Sequence, residues 1–237
     1  MINVLAVDTS GPVAGVAIWK NGMLAFEEAV VNRLTHSANL LPMIDAALDR
    51  TGMALTDMDR LAVVVGPGSF TGVRIGVSTV KGLSHGCGIP CVAVNALEAM
   101  AAGIPYFDGV ICPIQDARAG QVYGAAFAPE EPPRRLLPDA PLKLEDFVER
   151  VTPLGTRFCF LGDGMPVHRE RLRELLGDCA VFAPANACYL RPASVALLGA
   201  RPEAQEMDYL TLMPLYLRPP QAERNRALQE AMRHAGV

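Results

Sequence analysis

No apolar run in this sequence approaches the roughly 18 residues that a membrane-spanning helix needs. The amino terminus, Met1-Ile2-Asn3-Val4-Leu5-Ala6-Val7-Asp8, carries no basic residue ahead of its apolar stretch and meets an aspartate at once, so no secretory signal is expected. Basic charge is not in excess: 21 Lys and Arg stand against 25 Asp and Glu, whereas a free-standing nucleic-acid binder displays a strongly basic face. The six cysteines, at 87, 91, 112, 159, 179 and 188, form no C-x-x-C pair, and several lie in apolar runs, which reads as reduced, buried thiols of a cytoplasmic protein. The four histidines, at 36, 85, 168 and 234, have no metal-ligand spacing, so no bound metal is expected. No G-x-S-x-G elbow marks a hydrolytic serine. What is present is a core: 237 residues, 51% of them hydrophobic, are enough for one large domain or two small lobes.

The most specific stretch is Gly66-Pro67-Gly68-Ser69-Phe70-Thr71-Gly72-Val73-Arg74-Ile75-Gly76. It follows an apolar run, residues 61–65, that reads as a buried strand, and leads into a helical pattern, the order of a phosphate-binding loop. A Walker loop needs Lys and Ser or Thr after its last glycine, yet Val73 and Arg74 follow Gly72. The dinucleotide fingerprint fails too, because the spacing is 66, 68, 72 rather than G-x-G-x-x-G. Ser69 and Thr71 read as helix caps. Within the expected helix, 71–84, Gly76 and Gly82 each cost about 1 kcal/mol against alanine. Gly72, Gly76 and Val80 share one stripe at i, i+4, i+8, a shallow groove for a close neighbour. That neighbour is either the protein's own sheet or another subunit.

The chain reads as two halves with similar openings. Residues 2–7 and 13–19 look like strands around Asp8-Thr9-Ser10-Gly11, and Asn21-Gly22 is a type I′ hairpin turn into a third strand, 23–29. Residues 39–50 have helical periodicity and stop at Gly52, and Pro42 predicts a start near Asn39 rather than at His36. Further on come a strand at 91–94 and a helix at 96–102. The second half repeats the theme with strands at 110–114 and 122–127 around Asp116-Ala117-Arg118-Ala119-Gly120. Residues 129–141, with five prolines, read as an exposed connection. Helices are expected at 144–151, 167–176 and 192–200, and extended segments at 158–161 and 180–182. A charged tail closes the chain.

Several motifs together resemble one family. They are Asp8-Thr9-Ser10, His36-Ser37 with Leu40-Leu41-Pro42, the Gly66 to Gly76 loop, Lys81-Gly82-Leu83, Asp116-Ala117-Arg118, Gly162-Asp163-Gly164 and Pro214-x-Tyr216-x-Arg218. In this order they resemble the TsaB (YeaZ) family, the non-catalytic dimerisation subunit of the bacterial machinery that makes threonylcarbamoyladenosine beside the tRNA anticodon. The resemblance implies an α/β fold of the actin/Hsp70/sugar-kinase (ASKHA) type, a duplicated fold of two lobes. The first lobe is expected over 1–106, a smaller one over 107–220 and the tail over 221–237. It also implies a heterodimer with a TsaD-like catalytic subunit, a TsaE-like ATPase in the same complex, a homodimer when alone, and contact with tRNA only through the complex.

The two expected pairing helices place Leu40, Leu41, Ile44, Leu48, Gly72, Val73, Gly76 and Val80 at the partner interface. Gly76→Leu or Ile44→Asp should then abolish co-elution and leave the monomer folded. A vestigial nucleotide site is expected at Asp8, Thr9, Ser10, Asp116, Arg118, Gly162 and Gly164. No cofactor is expected to bind firmly, and ATP or ADP is confined to the assembled complex. TsaD carries a His-x-Glu-Gly-His-like metal cluster after the strand that follows the glycine loop. Here that place reads Val94-Asn95-Ala96-Leu97-Glu98-Ala99-Met100, and a methyl and a thioether cannot replace two imidazoles. The competing readings are a kinase-like phosphotransferase using Asp8 and Asp116, which Arg118 opposes by crowding a phosphate loop, and a metallopeptidase relative. Tyr216, Arg218 and the tail arginines 224, 226 and 233 read as a solvated charged end.

Overall fold

Two stretches of the chain run through the same order of elements. The computed structural model describes residues 2–31 and 35–218, so the expected tail lies outside the described residues. The first stretch is β1 (Val4–Asp8), β2 (Ala14–Lys20), β3 (Met23–Val30), α1 (His36–Thr51), β4 (Arg60–Gly66), α2 (Phe70–Cys87), β5 (Cys91–Asn95) and α3 (Ala96–Ala102). The second is β6 (Val110–Arg118), β7 (Gln121–Ala128), β8 (Arg134–Lys143), α4 (Leu144–Val151), β9 (Phe158–Leu161), α5 (Gly164–Leu176), β10 (Ala180–Phe182) and α6 (Pro192–Gly199), after which β11 (Glu206–Met207) ends the regular structure.

The sheets have matching topologies, β11-β5-β4-β1-β2-β3 and β10-β9-β6-β7-β8. In each, a meander of three antiparallel strands is extended by two parallel strands, β1-β4-β5 and β6-β9-β10. That repeat is the duplicated ASKHA-type fold. Strands β1 and β4 are buried along their whole length, which is why they read as unbroken apolar runs rather than alternating ones. Asn21 and Gly22 take φ of 52° and 89°, the two positive angles that a type I′ turn requires. Among the described residues no helix is long and apolar enough to cross a membrane.

Three expectations fail. Helix α1 starts at His36 and keeps Pro42 inside it. Pro42 has no N–H to offer the carbonyl of Ala38, but both residues are exposed, so water can take the orphaned carbonyl. The segment read as a proline-rich connection contains strand β8, with Pro138 and Pro141 inside it. It lies at the sheet edge, where an absent N–H costs no ladder bond on the open side. The division at residue 106 separates the two sheets, but the chain returns to the first one after residue 191. Helix α6 packs on β1, β2 and β4, and β11 pairs with β5. Helices α3 and α6 thus share a core with residues of both sheets, including Val4, Ala62, Ile111, Phe127 and Leu161.

The N-terminus of α6 is held from the first sheet by Glu27 on β3. Its carboxylate accepts from Arg191 Nε at 3.0 Å and from the Ala193 N–H at 3.1 Å, and a second arm of Arg191 closes a fork. Partial burial raises the Glu27 pKa, but the Arg191 side chain and the Ala193 N–H together outweigh it and hold it below its usual range. A carboxylate depressed in this way contributes stability above its unfolded pKa and loses it as pH falls through the folded one. Glu27→Ala should cost about 1–2 kcal/mol at neutral pH, with the gap to the parent protein narrowing below about pH 4, in urea titrations run at each pH.

Candidate functional site

Each glycine of the Gly66 to Gly76 stretch has a backbone or short side chain where its own side chain would be. A Cβ on Gly68 would lie 2.3 Å from the Ser10 carbonyl oxygen, on Gly72 2.0 Å from that of Thr9, and on Gly76 2.7 Å from Thr9 Oγ1. One on Gly66, whose φ is +128°, would lie 2.5 Å from the Leu215 carbonyl oxygen. The β1–β2 turn is therefore pressed onto the loop and the first turns of α2. Hydrogen bonds fix it: Thr9 Oγ1 donates to the Gly72 carbonyl at 2.7 Å, and the Ser69 N–H donates to the Ser10 carbonyl at 2.7 Å. Ser69 caps α2 through its hydroxyl, which accepts from the Gly72 N–H at 3.3 Å, while the Val73 N–H goes to the Ser69 carbonyl. The N–H groups of residues 69, 72 and 73 are thus already used within the chain.

Between the lobes lies an open cleft of about 650 Å³, bordered by Ser10, Ser69, Asp116, Arg118, Tyr216 and Arg218 among others. The β6–β7 turn at its edge is strained: Arg118 and Ala119 hold φ of 64° and 53°, and the Asp116 carboxylate accepts from the Arg118 N–H at 2.9 Å. The deeper wall is acidic. Burial pushes the Asp8 carboxyl up to about 6 against the hydrogen bond from the Ser10 N–H, and burial likewise pushes Asp163 up to about 6, with the Asp116 charge adding to it.

The residues expected at a nucleotide site separate. Ser10, Asp116 and Arg118 reach the cleft, Asp8 is buried beneath it, and the Thr9 hydroxyl is spent on α2. Gly162 and Gly164 serve packing, since a Cβ on either would lie 2.1 Å or 3.0–3.1 Å from the backbone of residues 114–116. Of the expected interface residues, Leu40, Ile44, Val73 and Val80 are buried in the core beneath α1 and α2, and Gly72 and Gly76 face Thr9. The small-residue stripe therefore faces this protein's own β1 and β4, which corrects the expectation that it faces a partner. Gly76→Leu and Ile44→Asp would disrupt the monomer itself. Leu41, 52% exposed, and the half-buried Leu48 are the two that reach the outside.

Sequence reading missed what the end of the chain does. Leu212 is buried in the first core, Lys81 Nζ donates to its carbonyl at 3.1 Å, and the Leu215 N–H donates to the Val65 carbonyl at 2.7 Å. Tyr216 stacks on Phe70 at 4.8 Å between centroids and accepts from Arg74 Nε at 2.7 Å, and Arg218 reaches the Ala117 carbonyl at 3.3 Å. Tyr216 and Arg218 thus belong to a strap joining α2 to the second lobe, not to a solvated end. Glu98 was also read on too little. It pairs with Arg135 of β8 at 3.4 Å, beside an Arg135–Asp139–Asn95 chain, and Ala96 and Met100 flank it in the core. A lone glutamate shortly after an apolar run was the only signal.

A family model described as "TsaD: tRNA N6-adenosine threonylcarbamoyltransferase" matches residues 30–225. The tRNA threonylcarbamoyladenosine biosynthesis protein TsaB of Bacillus subtilis (strain 168) is 34% identical over 94% of this chain and 96% of its own length. The protein of the same name from Escherichia coli (strain K12) is 34% identical over 78% of this chain and 82% of its own. Among solved structures, YeaZ from Pseudomonas aeruginosa superposes with a TM-score of 0.76 at 28% identity, covering 92% of this chain and 100% of that one. The chain belongs to the TsaB (YeaZ) family.

Proposed function

We propose that this chain is a non-catalytic scaffold subunit, in the cytoplasm, needed for N6-threonylcarbamoylation of the adenosine beside the tRNA anticodon. It pairs with and activates a TsaD-like catalytic subunit, a TsaE-like ATPase joins the complex, tRNA is reached only through that complex, and alone the chain pairs with itself. The observation that carries this reading is the closure of the Asp8 to Ser10 turn against α2. Anion binding at a helix N-terminus needs free N–H groups, and here those of Ser69 and Gly72 are taken within the chain, which leaves Phe70 and Thr71 of the first turn. The cleft behind is lined by Asp116 and Asp163, which repel a phosphate, as well as by Arg118 and Arg218, the latter turned to the Ala117 carbonyl. The partly used helix N-terminus and the acidic wall favour assigning ATP or ADP to the assembled complex rather than to this chain alone. Ala96 and Met100, both in the core, also support a reading without metal-dependent transfer chemistry.

The pairing face assigned here is the outer side of α1 and α2. Leu41 and Pro42 are exposed there on α1, and on α2 Ser78 and Gly82 are exposed beside half-buried Ile75 and Leu83. An exposed apolar residue among small ones is the kind of anchor that a partner helix covers. Leu41→Asp should weaken co-elution with the TsaD-like subunit by about 100-fold in Kd while leaving the melting temperature unchanged. Ser78→Arg should do the same by bulk. Wild-type affinity in both variants would remove this face from the interface, and heat of binding from Mg-ATP on the isolated chain would reopen the phosphotransferase reading.

A further inference from the structure

Beneath the cleft lies a small cavity of about 10 Å³, bounded by Asp8, Ser10, Gln115 and Asp163 with Met100 and Leu190 as apolar walls. Its polar groups come from both lobes: the end of β1, the turn after it, β6 and the turn before α5. Three polar atoms at these positions, Ser10 Oγ, Gln115 Oε1 and Asp163 Oδ1, are buried without a hydrogen-bond partner. Ser10 and Gln115 are only 1% and 2% exposed, so bulk water does not satisfy them. Among the described residues, neither Asp8 nor Asp163 has a Lys, Arg or His within ion-pair distance. Buried carboxylates of this kind are ordinarily paired or bound to a cation.

The donor set restricts the ligand. Among the described residues no three His, Cys, Asp or Glu side chains converge as a metal cluster, which disfavours a zinc-like ion. All the donors are oxygens: two carboxylates, an amide and a hydroxyl. The two carboxylates, the amide and the hydroxyl carry six oxygens, of which Asp8 Oδ1 already accepts from the Ser10 N–H at 2.8 Å, so the six to eight that calcium takes are not reached, and magnesium keeps several waters that a cavity for one water-sized group cannot hold. A water molecule would satisfy Ser10 and Gln115 but bring no charge to the two aspartates. We propose that the cavity holds one dehydrated alkali cation, sodium by size, which ties the two lobes together through Asp8, Ser10, Gln115 and Asp163.

The test is thermal unfolding of the full chain at constant ionic strength, with choline chloride replaced stepwise by sodium chloride. Binding to the folded state should raise Tm by about 4–8 °C at sodium roughly thirty times its Kd. Asp163→Asn, which removes one charge at nearly constant volume, should flatten the response, and Ser10→Ala serves the same purpose if the first variant does not fold. Equal Tm in choline and sodium would overturn the proposal and leave water in the cavity. A full sodium response in a folded variant would overturn it as well, because the ion would then sit elsewhere.

Discussion

Gly72→Ala should destabilise the protein by about 3 kcal/mol or more, although alanine is the better helix former by about 1 kcal/mol. The added methyl would lie 2.0 Å from the Thr9 carbonyl oxygen, a contact that one side must relieve by moving. Neither side moves cheaply. Thr9 Oγ1 is bonded to the Gly72 carbonyl and the Ser10 carbonyl to the Ser69 N–H, so separating the turn from α2 breaks both bonds. Gly76→Ala meets the Thr9 hydroxyl at 2.7 Å and otherwise only the Val63 and Val7 methyls at 3.4 and 3.7 Å, with no backbone atom in the way, and should cost less. Gly82, in the same helix, is exposed, and a methyl added there would have nothing within 4 Å, so Gly82→Ala should stabilise by about 0.5–1 kcal/mol. Urea midpoints of the three variants test the assignment. If Gly72→Ala and Gly82→Ala shift the midpoint in the same direction, close approach does not explain the glycine at 72.

That contrast also shows how far the sequence could be read. The i, i+4, i+8 stripe correctly announced a close neighbour, because glycine in a helix interior is costly unless something fills the space. It could not say which neighbour, since periodicity reports a face and not what lies against it. The strands were legible where burial on both sides makes an unbroken apolar run, as in β1 and β4, and the hairpin at Asn21-Gly22 was legible because two positive φ angles narrow the choice of residues. Proline misled twice for one reason: its local cost was weighed without knowing the surroundings. Pro42 lies on an exposed helix face and Pro138 on an edge strand, and both places tolerate a missing N–H. The strap was invisible because Arg74 and Tyr216 lie 142 residues apart, and no local pattern joins them. Motif order along the chain carried the family assignment, whereas the division of labour among the site residues needed three-dimensional contacts. Asp163 shows the difference: inside Gly162-Asp163-Gly164 it stood only as the middle of a family motif, and the structure places its carboxyl, buried, at the junction of the lobes.

Arg60→Met should cost about 3–4 kcal/mol, because this one side chain closes the return of the chain onto the first sheet. Arg60 opens β4 and is 9% exposed. Its Nη1 donates to the Gly199 carbonyl at 3.1 Å and the Arg201 carbonyl at 2.7 Å, and its Nε to Glu206 at 2.6 Å. The first carbonyl ends α6, where a positive charge also meets the negative end of the helix dipole. The thioether of methionine fills similar volume but leaves both carbonyls unanswered, one of them buried. The ion pair itself contributes little, since the Glu206 side chain is 48% exposed and screened by water. Glu206→Gln should therefore cost less than about 1 kcal/mol, and Arg60→Lys should fall between, because an ammonium keeps the charge but cannot span three acceptors from one rigid fork. Urea denaturation of the three variants separates the contributions. A loss in Glu206→Gln equal to that in Arg60→Met would make the ion pair, rather than the carbonyls of α6, the reason for an arginine at the start of β4.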